Sequence, residues 1–304
     1  MRFTPYTPTD FLPVRDMLAD SFGNYSAPEN WLIDRWNMVG YAGRVFNGLD
    51  EAAWGAGIGL WRDRSGRVVA MANEEEGKGD AFFQFLSPDL ATPGLLAEMF
   101  AFVERSCVRL RGGRPRLALR IPEPRLGAWG PMAEARGFRP TGRSEAMTRL
   151  PLDGVQVPAL PAGLRFAAGH EVPPSARARA HQLAFGYADN PVYVGRSEAV
   201  FAAMRRAPDH RPELDLSIVD GGGEEQAFAN VWLDGLNRLA VLEPVGTIPA
   251  AQRRGLGKAV ALEALSRAER LGARAAYVGS DLPFYAALGF EVVLRSPVWE
   301  RAVP

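Results

Sequence analysis

Cysteine is nearly absent from this chain. Cys107 is the only one in 304 residues, which excludes an intrachain disulfide, and its place in the amphipathic run 95–108 reads as a buried small hydrophobe. Histidine is almost as scarce: His170, His181 and His210 stand without ligand spacing, so no metal site is expected. Lysine occurs only at 78 and 258, and the other 33 basic residues are arginine, the bias of a GC-rich bacterial genome. Charge of either sign is also lacking in excess. Residues 1–150 carry 19 basic and 18 acidic side chains and the remainder 16 and 17, so neither half is an obvious polyanion binder and no nucleic-acid partner is expected. No apolar run approaches membrane-spanning length, and the start Met1-Arg2-Phe3-Thr4-Pro5 lacks a signal core; no membrane partner and a cytoplasmic location are the expectation.

What remains is a chain with 47% hydrophobic residues, long enough for two ordinary domains. It repeats itself. Arg2-Phe3 and Phe22-Gly23 recur as Arg165-Phe166 and Phe185-Gly186, both displaced by 163 residues. Gly137-Phe138, Arg143-Ser144 and Arg149 match Gly289-Phe290, Arg295-Ser296 and Arg301, displaced by 152. Between them Ala70-Met71-Ala72-Asn73 parallels Ala227-Phe228-Ala229-Asn230. Residues 151–162 contain three prolines and no amphipathic period, which is linker chemistry. The division expected is therefore 1–150, a linker at 151–162, and 163–304. In the second copy, strands are expected at 214–219, 227–233, 238–245 and 273–278; in the first, at 68–73, 81–86 and 116–121 with a helix from about Leu95.

The most informative segment is Gln252-Arg253-Arg254-Gly255-Leu256-Gly257-Lys258. It joins an apolar strand pattern to a helix whose stripe is Val260, Ala261, Ala264, Leu265, Ala268 and Leu271, with Glu263 four residues before Arg267. Glycines here let the backbone approach a ligand, and the first helical turn offers unpaired N–H groups and a positive dipole end, so an anion is expected. A Walker loop needs Ser or Thr where Ala259 stands, and a dinucleotide fingerprint needs a small residue where Val260 stands. Upstream, Pro244 next to Gly246 suggests a strand that parts from its neighbour.

The Gln-x-x-Gly-x-Gly run resembles the pyrophosphate loop of the GCN5-related N-acetyltransferases. Glu243-Pro244-Val245-Gly246-Thr247-Ile248-Pro249 looks like that family's fourth strand, and Phe284-Tyr285-Ala286-Ala287-Leu288-Gly289-Phe290 like its second signature. The resemblance implies an α/β fold of two tandem domains of this kind, each a mixed, mostly antiparallel sheet flanked by helices, with splayed central strands. It implies acetyl-CoA as acyl donor, with its diphosphate on Arg253, Arg254, Gly255, Leu256, Gly257 and Lys258, and its acyl carbonyl polarised by backbone N–H groups of Val245, Gly246 and Thr247. It makes Tyr285 the group that protonates the departing thiolate and Glu243 a base for an amine acceptor. Other roles stay open: Tyr285 as core, Glu243 as a strand-end carboxylate that fixes a bulge, Lys258 as a solvated lysine.

The segment Val278-Gly279-Ser280-Asp281-Leu282-Pro283 is shorter than in many members, which carry an asparagine there. The tandem form and the run 249–257 look similar to the mycothiol synthases, which makes an amino-sugar acceptor one alternative; a non-catalytic acyl-CoA-binding regulator is another. The first copy lacks the glycine loop, carries Asp89 where a diphosphate would lie, and has Ala133 where the repeat places Tyr285. It reads as a degenerate copy. Its stretch Trp31, Arg35, Trp36, Tyr41, Arg44 and Phe46 either shapes an acceptor pocket, forms a domain interface, or is core.

Overall fold

Alternating apolar residues build most of this molecule into one sheet. The computed structural model describes residues 1–75, 77–111 and 113–302. The strands are β1 (Arg2–Pro5), β2 (Ile58–Arg62), β3 (Val68–Glu74), β4 (Asp80–Phe85), β5 (Arg109–Arg111), β6 (Arg114–Arg120), β7 (Arg139–Pro151), β8 (Arg165–Ala168), β9 (Asp215–Val219), β10 (Glu225–Asp234), β11 (Leu239–Thr247), β12 (Ala275–Val278) and β13 (Glu291–Ala302). The helices are α1 (Phe11–Ser21), α2 (Ile33–Asn37), which runs through a π-turn at 38–43 into α3 (Arg44–Asn47), α4 (Glu51–Gly55), α5 (Pro93–Ser106), α6 (Leu126–Ala135), α7 (Pro174–Ala184), α8 (Pro191–Met204), α9 (Leu256–Arg270) and α10 (Pro283–Ala286). None is long and apolar enough to cross a membrane.

The strand order is β1-β2-β3-β4-β6-β13-β7-β12-β11-β10-β9-β8, with β5 on β6. Exchanging each strand for its counterpart in the other repeat reverses this order and leaves it otherwise unchanged, so a pseudo-twofold axis passes between β7 and β13. The last strand of each repeat is traded: β13 pairs with β6 of the first half and β7 with β12 of the second. All pairs are antiparallel except β4 with β6 and β11 with β12, which occupy equivalent places.

Each copy buries its own helix. In α9 the stripe read from the sequence is buried from Val260 to Ala268, against Leu216, Val231, Ala240 and Leu242; Leu271 falls past the last turn and is exposed. Arg267 Nε meets Glu263 Oε1 at 2.8 Å, an i,i+4 pair worth a few tenths of a kcal/mol. In the first copy α5 and α6 bury Leu96, Met99, Phe100, Val103 and Trp129 against β3, β4 and β6, and Cys107 lies in the same core. The opposite face of the second copy's sheet, Trp232, Leu239, Val241 and Tyr277, is covered jointly by α7, α8 and residues 32–46 of the first half. At its edge Arg177, fully buried, pairs with Asp215 at 2.5 Å and Glu225 at 2.8 Å. Burial opposes the charge on Asp215, but Arg177, His210 and Arg205 outweigh it and hold its carboxyl far below the usual range. Loss of one partner from such a buried cluster costs about 3–5 kcal/mol.

Residues 151–162 carry no strand or helix beyond the end of β7, but they are tied down. Leu152 is buried in the α9 core, and Glu269 accepts from the N–H groups of Gly154 and Val155 at 2.6 and 3.0 Å.

Candidate functional site

The parallel pair at the centre of the second copy is short. β11 and β12 are in register only from Leu239↔Ala275 to Val241↔Tyr277, yet β11 runs on to Thr247. The strands part there. On its other side β11 slips against β10 between Ala229 and Val231, so that Glu243 and Pro244 oppose Asn230 alone, an extra-residue bulge. Side chains replace the missing ladder bonds: the Glu243 carbonyl accepts from Asn230 Nδ2 and from Trp232 Nε1, each at 3.0 Å. Pro244, with no N–H to offer, sits where the ladder is broken.

Past the bulge, Ile248 donates its N–H to Gln226 on β10. Strand alternation then turns Gly246 toward β10 as well, and presents the N–H groups of Val245 and Thr247 to the gap that β12 has left. A Cβ on Gly246 would run into the Phe228 ring, so only glycine lets the strand lie this close to its neighbour.

The chain then turns through Pro249–Ala251 into the glycine loop. Arg253 has φ 59° and Gly255 φ 77°, so two left-handed residues flank Arg254, a backbone shape that turns successive N–H groups inward as an anion nest. Gly255 is the N-cap of α9 and no side chain caps the helix, leaving its first-turn donors open. Arg253, Arg254 and Lys258 are exposed around the loop, whereas Leu256 points into the core; Leu256 has only its backbone to give. Gly257 is the point of closest approach. A Cβ there would stand 2.8 Å from Thr247 Oγ1 and 3.5 Å from the Phe284 ring.

Phe284 starts the third piece. Tyr285, on the single-turn α10, is 8% exposed and packs edge-on against Phe284 and Phe290. Burial first, and the Glu243 carboxylate second, push its hydroxyl well above the usual phenol range. The strand end, the loop and the tyrosine turn, far apart in sequence, meet at one place.

The equivalent place in the first copy is built differently. β4 and β6 are in register only at Asp80↔Ala118 and Ala81↔Leu119, so they part too, but the rings of Phe83 and Phe85 pack against Trp129 at 5.9 and 5.6 Å. Ala133 is buried in that cluster. The helix start is closed: Thr92 caps α5 by accepting from Leu95 N–H, and Asp89 is turned back to the Ser87 hydroxyl.

Glu243 and Gly279 form one bank of a cleft of ≈ 400 Å³; the other bank belongs largely to the first half, including Trp31, Asp34, Arg35, Glu75 and Phe82. The aromatic stretch of the first half thus divides. Trp31 and Arg35 line the cleft, Trp36 is core, Tyr41 and Phe46 pack at the contact with α8, and Arg44 bonds back to Gly40 O at 2.6 Å. Asp34, Glu75 and Glu145 come from three distant segments, and no spacing in the sequence marks them as neighbours. Asn230 had a signal, the repeated Ala-x-Ala-Asn, whose meaning needed the bulge. Among the described residues no His, Cys, Asp and Glu group is arranged to hold a metal ion.

Neither a protein-family profile nor any curated protein matches the chain. Solved structures do match in fold. A GCN5-related N-acetyltransferase from Sphaerobacter thermophilus superposes with a TM-score of 0.63 at 17% identity, over 99% of this chain and 95% of that one. A tandem GNAT protein from the clavulanic acid biosynthesis pathway gives 0.64 at 17% identity, over 100% and 99%. The GCN5-related glucosamine N-acetyltransferase region of a fungal multi-domain β-N-acetylglucosaminidase gives 0.57 at 15% identity, over 98% of this chain and 38% of that one. The chain has the fold of the GCN5-related N-acetyltransferases in its tandem form. These matches do not show the likeness to mycothiol synthases.

Proposed function

We propose that the chain is an acyl-CoA-dependent N-acyltransferase, with acetyl-CoA as donor and a primary amine of a small molecule or peptide as acceptor. The observation that carries this reading is the meeting of an uncapped glycine helix start, a parted strand and a buried tyrosine. The donor diphosphate lies on the nest from Arg253 to Lys258, where backbone donors and the dipole of α9 favour negative charge. The thioester enters between β11 and β12, and its carbonyl oxygen accepts from the inward N–H groups of β11, chiefly Val245 and Thr247. Such donors stabilise the oxyanion of the transition state by about 3–4 kcal/mol each.

The amine arrives from the cleft on the opposite face. Its nitrogen attacks the acyl carbon, Glu243 takes the proton it loses, and Tyr285 gives a proton to sulfur as the C–S bond breaks. A phenol with a raised pKa stays protonated until the thiolate forms beside it, which suits a general acid. The first half holds no donor and contributes walls.

A second reading is favoured by the burial of Tyr285 among Phe284 and Phe290: a regulator that binds acyl-CoA without turnover. A thiol-release assay with acetyl-CoA across small amines, polyamines, aminoglycosides, amino-sugar conjugates and peptide N-termini separates the two. Amine-dependent thiol release supports transfer. Tight acetyl-CoA binding with no release for any amine supports the regulator.

A further inference from the structure

The cleft between the halves is lined with unequal charge. Its two guanidinium groups are those of Arg35 and Arg120, and carboxylates hold both. Arg35 donates to Glu75 at 2.6 and 2.8 Å and to Glu145 at 3.2 Å; Arg120 pairs with Asp80 at 2.6 Å and with Glu145 at 2.9 Å. Stacking fixes the Arg35 guanidinium further, 5.0 Å from the Trp31 centroid and 4.5 Å from that of Phe82. Neither arginine is set to receive an anion.

Asp34 is placed differently. It stands on the same wall, is 9% exposed, and among the described residues no cation lies within ion-pair distance of its carboxylate. Backbone N–H groups at the start of α2 and the charge of Arg35 are what favour its ionised form. A buried carboxylate without a counter-ion is costly in a finished fold, and ligand sites are where such groups persist. Asp34 stands on the wall from the first half, across the cleft from Glu243.

We propose that the acceptor is a small molecule with at least two amino groups, one acylated beside Glu243 and another held as an ammonium by the carboxylate of Asp34. The fate of the first amine rests on the transferase reading above; the cation site stands on its own geometry.

Calorimetry with the diamines from ethylenediamine to hexane-1,6-diamine, each against the monoamine of equal length, reads the cation site directly, and thiol release from acetyl-CoA is followed in parallel. The expected result is a diamine bound at least about tenfold tighter than its monoamine. Asp34→Asn, nearly the same in shape, should erase that preference and raise KM for the diamine by about tenfold with kcat little changed. Equal affinity for diamines and monoamines in the wild type, no diamine binding, or a preference that survives in Asp34→Asn would overturn the proposal. A diamine preference lost in Asp34→Asn without thiol release would keep the cation site and reject the transferase reading. Equal thiol release from monoamines and diamines would do the reverse.

Discussion

Gly257 and Thr247 lie so close that a Cβ on the glycine would stand 2.8 Å from the threonine Oγ1. That single approach ties the end of the parted strand to the first turn of α9, and Phe284 closes on the same glycine. A donor bound at the helix start, as proposed, would then lie in line with the gap in the sheet. Gly257→Val should therefore disturb strand and loop together, lowering donor affinity and turnover by about tenfold or more. Kinetics with varied acetyl-CoA check this; an unchanged KM for the donor would show that the approach is not needed.

Tyr285→Phe keeps the ring between Phe284 and Phe290 and removes only the hydroxyl. Turnover should fall by about 10² or more, equivalent to roughly 3 kcal/mol of transition-state stabilisation, with donor affinity little changed. Stopped-flow measurement of thiol release, under conditions where chemistry limits the rate, decides it. Unaltered turnover would return Tyr285 to the hydrophobic core.

Asp34 makes the stability of the fold depend on pH. Burial pushes its carboxyl up from 3.8 to about 6, so between these values the folded chain binds the proton more tightly than the unfolded one. The sign follows: the penalty for ionising Asp34 is absent below about pH 4 and fully present above about pH 6, reaching at most about 3 kcal/mol. Asp34→Asn escapes it. Urea unfolding of both proteins should show the variant gaining on the wild type as pH rises from 4 to 7, whereas a pH-independent difference would mean that Asp34 ionises freely.

The strand exchange predicts how damage spreads. Ending the chain at Phe290 removes β13, which pairs with β6 of the first repeat as well as with β7. Amides of Leu117 and Leu119, which alternate with the Ala118 N–H that bonds to Gly79 O, should then lose hydrogen-exchange protection although no residue of the first repeat was touched. Protection retained in β6 would show that the first repeat closes without its partner's strand.

The repeats, the glycine loop and the parting of the strand at Pro244 were legible because each depends on local chemistry: a left-handed turn, an uncapped helix start, a missing ladder donor. The exchange of β7 and β13 was not. Both are long strands flanked by similar turns, and the alternation that makes a strand is silent on which neighbour it takes. The proline-rich join was read as a linker, and its Leu152 and Gly154 instead fasten it to α9 through the core and through Glu269. The cleft was legible only as Trp31 and Arg35, since Asp34, Glu75 and Glu145 become neighbours through the seam between the halves.

One donor is expected per chain, on the loop before α9, and none in the first copy, which lacks the glycine loop and packs Phe83 and Phe85 on Trp129. Titration calorimetry of acetyl-CoA into the wild type and into Gly255→Asp tests it most directly. Gly255 has open space around it, and Asp accepts its left-handed backbone better than most residues, so the change sets a carboxylate against the diphosphate with little harm to the fold. The account predicts a stoichiometry of one for the wild type and a loss of about 10² or more in affinity for the variant. Two acetyl-CoA per chain, or undiminished affinity in Gly255→Asp, would contradict it.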